Sequence, residues 1–138
     1  MFLRANNEAP SFSTETRTEY MRRAMEEGYI IVFPYKNELL IDIDNEEQYE
    51  NFQRSWQIFI RYYPDCTMSE TPSARMEEYR LHIVVTLPFD VEPWERIALQ
   101  SALGSDPVRE ILSIIRVLSG DPTPTIFKEV KDYDRRGS

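Results

Sequence analysis

Two aspartates, Asp42 and Asp44, stand two positions apart in the apolar run ELLIDID. On a strand the side chains alternate, so Leu40, Asp42 and Asp44 share one face while Leu39, Ile41 and Ile43 share the other. Two carboxylates on the open face near a strand's end form an oxygen donor set of the kind that hard cations such as Mg²⁺ or Mn²⁺ prefer. The same pair has a purely structural reading, because Asp44 or Asn45 is an ordinary N-cap for the helix that follows. The single histidine adds to the pattern. In YRLHIVVTLP, His82 alternates with Arg80, Val84 and Thr86, opposite the apolar Leu81, Ile83, Val85 and Leu87, and is expected to face away from the core. Two acids on one strand, with a histidine and an arginine on the outward face of another, could bind metal and phosphate together.

The elements that must position these residues follow from periodicity. A helix is expected through Tyr20, Met21, Ala24 and Met25, with Thr16 and Glu19 at capping-box spacing and Gly28 as its stop. YIIVFPYK and ELLIDID read as strands joined as a hairpin across Lys36-Asn37, with Pro34 consigning the first to a sheet edge or a bulge. From Glu46 the period changes: Tyr49, Phe52, Trp56, Phe59, Ile60 and Tyr63 recur at helical steps as far as Pro64, a stripe that reads as core and not as a cofactor box. CTMSET and YRLHIVVTL are two further strands around the polar loop PSARMEE. Asp90 or Glu92 opens a helix through Trp94, Ile97, Ala98 and Leu103, and Asp106-Pro107 opens another through Val108, Ile111, Leu112 and Ile115. The order α-β-β-α-β-β-α-α predicts an α+β fold, a small mainly antiparallel sheet with helices packed on one face, related to the RNA-recognition or ferredoxin-like arrangements.

Length and composition limit the function classes. The 138 residues suit a single domain, with neither internal repeat nor Gly/Ser-rich linker to divide them. One cysteine, Cys66, makes neither an internal disulfide nor a thiolate zinc site, and with one histidine no hydrolase triad is suggested. No signal-peptide core or membrane-spanning stretch is read in the sequence, so the expected setting is soluble and cytoplasmic. The formal net charge of −8 argues against tight, sequence-independent binding to a long duplex, for which a basic surface is needed.

The order of motifs, "IDID", then "TPS" and the histidine leading into an apolar strand, then "ALGSDP" with its helix and "RVLSGDPTPT", resembles the archaeo-eukaryotic primase, or primase-polymerase, superfamily. The resemblance covers about residues 29–125, behind an N-terminal helix at about 14–27. It implies a catalytic core on a modified RNA-recognition-type sheet, with Asp42 and Asp44 as metal ligands, His82 as the contact to the nucleotide phosphate and Asp106 as the third acid. Arg80 and Arg116 would add positive charge at the phosphate, with Arg75 and Lys36 as further sources, and RVLSG matches the family's arginine-containing segment only loosely. The sequence departs from the family where Arg80-Leu81 precede the histidine in place of a small residue, and where TPSARMEEY lacks the usual glycines. Asp106 is also an ordinary N-cap before Pro107. The implied activity is metal-dependent nucleotidyl transfer with Mg²⁺ or Mn²⁺, making short primers from nucleoside triphosphates on a single-stranded template, with a replication protein or a second copy of the chain as partner. Two alternatives stay open: a non-catalytic nucleotide- or nucleic-acid-binding relative that stacks bases on Phe33 and Tyr35, and an acidic inhibitor, of the sort a phage encodes, that presents carboxylates to a basic protein.

Overall fold

The computed structural model describes residues 17–72, 80–121 and 124–130. The chain is α+β. Its elements run α1 (Arg17–Glu26), β1 (Tyr29–Val32), β2 (Glu38–Ile43), α2 (Glu46–Tyr62), β3 (Thr67–Pro72), β4 (Leu81–Thr86), α3 (Pro93–Ala102), α4 (Pro107–Leu118) and β5 (Phe127–Val130). Thr16, Arg75 and the loop between β3 and β4 lie outside the described residues.

Local chemistry sets the helix boundaries. Helix α1 gives way at Gly28, whose φ of 90° is left-handed backbone that suits glycine. Asn45 caps α2 by accepting from the Gln48 backbone N–H at 2.9 Å, so of the two N-cap candidates it is Asn45 that serves. Glu92, with Glu95, forms a capping box at α3, and Asp106 accepts from the Arg109 N–H at 3.1 Å to cap α4, each ahead of a proline in the first turn.

Strands β2, β4 and β3 form an antiparallel sheet in that order. The register sets Leu39 against Val85, Ile41 against Ile83 and Asp42 against His82. The first face of this sheet carries Leu39, Ile41, Ile43, Ile83, Val85 and Leu87, packed with Phe52 and Leu103 from the helices. Tyr49, Trp56, Phe59 and Ile60 close over it, so the aromatic stripe of α2 is core as its spacing predicts except at Tyr63, the C-cap, which is exposed. Phe52 is fully buried, worth about 1.5–3 kcal/mol of transfer free energy for such a side chain.

The expected hairpin between the first two strands does not form. Instead β1 pairs antiparallel with β5 in a second, two-stranded sheet, Tyr29 opposite Val130 and Val32 opposite Phe127. Residues 33–35 leave strand geometry at Pro34, which has no N–H to give a ladder, and a turn at Lys36-Asn37 carries the chain from one layer to the other. Val32 and Phe127 from this small sheet bury Leu40 and Val84. The face expected to be open is therefore covered.

The outer edge of β2 is closed by polar groups of α3, α4 and the turn between them. The Leu40 N–H donates to Gln100 Oε1 at 2.8 Å, and the Asp42 N–H donates to Ser105 Oγ at 3.0 Å. The Arg96 Nε–H donates to the Glu38 carbonyl at 2.8 Å, and Arg109 donates to the Leu40 carbonyl. An edge strand left with bare N–H and C=O groups would invite another chain to pair with it. Among the described residues, no helix is long and apolar enough to cross a membrane.

Candidate functional site

Three elements that are far apart in sequence converge at the C-terminal end of β2. Asp42 lies on the strand itself, and its register partner His82 comes from β4. Asp106, the cap of α4, is drawn in by its own backbone N–H, which donates to the Asp42 carbonyl at 2.7 Å. Asp44 follows just past the strand end. The four residues that the sequence singles out thus occupy one corner of the molecule.

Each side chain has a defined neighbour. Asp42 Oδ1 is 3.8 Å from His82 Nε2. Arg80 donates to Asp44 Oδ1 at 2.8 Å, so Arg80 is at the site, as expected, but engaged with a carboxylate. Gln48, on the first turn of α2, bridges two of the acids: its Nε2 donates to Asp106 Oδ1 at 2.8 Å and its Oε1 accepts from the Asp44 N–H at 2.7 Å. Gln48 is not among the residues expected at the site. Its only signal was its place three residues after the N-cap, a position from which a glutamine commonly reaches back toward the helix entrance.

His82 does not face solvent. It is 6% exposed, and its ring stacks on Phe127 with centroids 3.8 Å apart and planes 7° from parallel. The alternation that put His82 on the second face is correct, but β5 covers that face. Phe127 in turn has the Arg109 guanidinium 5.2 Å from its ring centroid, within cation–π range. Arg109 also donates to the Ile126 carbonyl at 3.2 Å and to Glu110 Oε2 at 2.6 Å. Glu110, 2% exposed, accepts further bonds from Ser105 Oγ at 2.6 Å and Gln100 Nε2 at 2.9 Å. This buried network behind the carboxylates was also missed, because in the sequence its members look like the wet side of two helices.

Burial pushes the Asp42 carboxyl above its ordinary value, and the charges of Asp44 and Asp106 push it the same way, while His82 and Arg109 oppose the rise. Crowded carboxylates of this kind are relieved by a bound cation. Among the described residues, no group of three or more His, Cys, Asp or Glu side chains is arranged to hold a metal ion by itself. Mg²⁺ is usually held by one or two carboxylates with other oxygen donors and water, and a pair drawn from Asp42, Asp44 and Asp106 has that donor chemistry.

Other expected contributors lie elsewhere. Arg116 is in the last turn of α4, about 15 Å along the axis from the Asp106 cap at the rise of an α-helix. Lys36 is in the turn that precedes β2, at the opposite end of the strand from Asp42. Phe33 and Tyr35, offered as base-stacking residues on an open sheet, are in the loop after β1, with Tyr35 63% exposed. They cannot form an RNA-recognition type of platform, because they are not on the sheet and its second face is filled. Searches against protein-family models, curated proteins and solved structures return no match to this chain.

Proposed function

We propose that the chain is a metal-dependent nucleotidyltransferase of primase type, joining nucleoside triphosphates into short primers on a single-stranded template. One observation supports this reading above the others: Asp42, Asp44, His82 and Asp106, drawn from two strands and a helix cap, meet at one strand end with Arg80 beside them. Phosphoryl transfer needs little covalent chemistry from a protein and depends on positioning and charge neutralisation, which is what such a constellation offers.

One or two of the carboxylates of Asp42, Asp44 and Asp106 would hold Mg²⁺ or Mn²⁺ together with the triphosphate, and the ion would supply charge neutralisation and activation of the attacking hydroxyl. The chain's own residues have separate tasks. Ser105 and the Asp106 N–H fix the Asp42 backbone on both sides, and with it the point from which the carboxylate projects. Gln48 fixes Asp106 relative to Asp44. His82 stands 3.8 Å from Asp42 and is itself oriented by the Phe127 ring. Arg80 can exchange its Asp44 partner for a phosphate group, two of whose oxygens can accept from the guanidinium together.

The test is calorimetric titration of Mn²⁺ with a nucleoside triphosphate into the wild-type chain and into Asp42→Ala combined with Asp44→Ala, with primer synthesis on a single-stranded template assayed from the same samples. The expected result is binding and extension by wild type, and neither by a double variant whose circular dichroism is unchanged. Absence of binding by a folded wild-type chain would sink the proposal and return the two aspartates to the roles of strand-end residues.

A further inference from the structure

A groove of about 480 Å³ opens beside the carboxylate corner, between the first turns of α2 and the face of α4. Its size is that of a pocket for a small organic ligand. Its two walls differ in chemistry. On α4, Pro107, Ile111 and Ile114 fall at helical spacing and form an apolar side, with Ile111 55% exposed. On α2, Asn45, Gln48 and Asn51 follow one another every three residues and form an amide side. Gly104 lies between the walls; its backbone approaches that of Phe52 so closely that an added Cβ would stand 3.3 Å from the Phe52 nitrogen.

The polar inventory narrows the ligand. Asn45 spends its side-chain oxygen on the Gln48 N–H, and Asn51 spends its own on Arg54. Each therefore retains an NH₂ group that can donate to a carbonyl or ring nitrogen. No lysine or arginine among the described residues lines the groove, whereas the exposed Glu47 does, the Glu110 carboxylate being taken up by Arg109, Ser105 and Gln100. An anionic group would be repelled there, so the part of a ligand that enters is uncharged. An apolar wall facing amide donors suits a heterocycle with acceptors on its edge.

The groove also adjoins the acids. Gln48 and Ser105 line it, and these same two residues hold Asp106, Asp44 and the Asp42 N–H. We infer that the groove between α2 and α4 is the nucleoside subsite, taking the base and sugar of a nucleoside triphosphate whose charged end lies at Asp42, Asp44 and Asp106. The inference rests on the proposed function for the position of the phosphates, and on the groove alone for the nucleoside.

Two measurements on the full chain separate these parts. In the first, adenosine and uridine, which carry no phosphate, are titrated at millimolar concentration into ¹⁵N-labelled protein. The side-chain amides of Asn45 and Asn51 and the backbone amide of Gly104 are expected to shift saturably, and to stop doing so in Ser101→Trp, which fills the groove from an exposed helical position. Absence of shifts in wild type, or shifts unchanged in Ser101→Trp and also in Ile111→Ser, would overturn the subsite. In the second, Mn²⁺ with inorganic tripolyphosphate is compared with Mn²⁺ and a nucleoside triphosphate. The nucleotide is expected to bind at least tenfold tighter, with that ratio falling to one in Ser101→Trp. Equal affinities in wild type would remove the subsite and leave the metal-phosphate reading standing. Nucleoside shifts without any tripolyphosphate or triphosphate binding would do the reverse.

Discussion

The backbone N–H of Asp106 donates to the carbonyl of Asp42 at 2.7 Å, so the cap of α4 is fastened to the strand that carries the first of the candidate metal ligands. With the Asp42 N–H held by Ser105 at 3.0 Å, the peptide units on both sides of Asp42 are fixed by one turn of chain. Asp42 and Asp106 are joined by a main-chain bond that uses neither carboxylate, so replacing the Asp42 carboxylate should leave that link in place.

Asp42→Asn tests the cost of that arrangement. Burial raises the Asp42 carboxyl above its ordinary value of 3.8, so the folded state holds this proton more tightly than the unfolded state. Stability contributed by the protonated form is full below the ordinary value and is lost as pH rises through the raised one. The amide of the variant does not titrate and has no such loss. The expected outcome is a melting temperature a few degrees above wild type at about pH 7, converging with wild type at about pH 3, read by thermal scans across that range.

Glu110→Ala should be among the most damaging substitutions of an acid. It strands Arg109, Gln100 and Ser105, three groups that now donate to Glu110 in the interior. Removing one member of a buried charged pair costs about 3–5 kcal/mol, against about 0.5 kcal/mol or less for an exposed acid such as Glu50. Urea unfolding of Glu110→Ala and Glu50→Ala measures the contrast.

Gly104→Ala and Gly120→Ala separate backbone strain from contact. Both glycines have φ near 90°, but a Cβ at Gly120 meets nothing within 4 Å, while one at Gly104 meets the backbone of the fully buried Phe52. Left-handed backbone alone costs an alanine about 1–2 kcal/mol. Gly120→Ala should show that loss and Gly104→Ala about 1 kcal/mol more, since helix backbone gives way less than a side-chain tip. Urea unfolding of the two variants beside wild type reads both losses.

Phe127→Ala should destabilise by about 3–5 kcal/mol as a large buried ring. It should also uncover His82, whose ring it stacks upon. Exchange of the imidazole Cε1 proton with deuterated solvent, slow in wild type, is expected to accelerate in the variant under conditions where both remain folded.

What could be read from the sequence was what periodicity carries. The alternation in ELLIDID and LHIVVT assigns Leu39, Ile41, Ile83 and Val85 to one face and Asp42 and His82 to the other, and the helix caps stand where Asn, Glu and Asp precede the helical runs. The unread part was long-range. FKEV shows little alternation of its own and becomes a strand only by pairing with β1, at the other end of the described chain, which is also why His82 was expected in the open. Helix α4 misleads in a second way: Val108 and Ile111 are exposed while Glu110 and Ser113 are buried, because the helix's inward task is to satisfy the edge of β2 and not to add apolar core. Polarity marks the outside only where the inside needs no hydrogen bonds.

That seal on β2 also bears on the order in which the molecule can form. Leu40 waits for Gln100, 60 positions later, and for Arg109, 69 positions later; Asp42 waits for Ser105, 63 positions on. Closing loops of that length before any of these bonds is rewarded is the slow step in folding chains rich in distant contacts. During synthesis, β2 and its two acids leave the ribosome long before the helices that finish them. The carboxylate corner is therefore expected to be among the last parts of the chain to take its final shape, and early truncation products should lack it altogether.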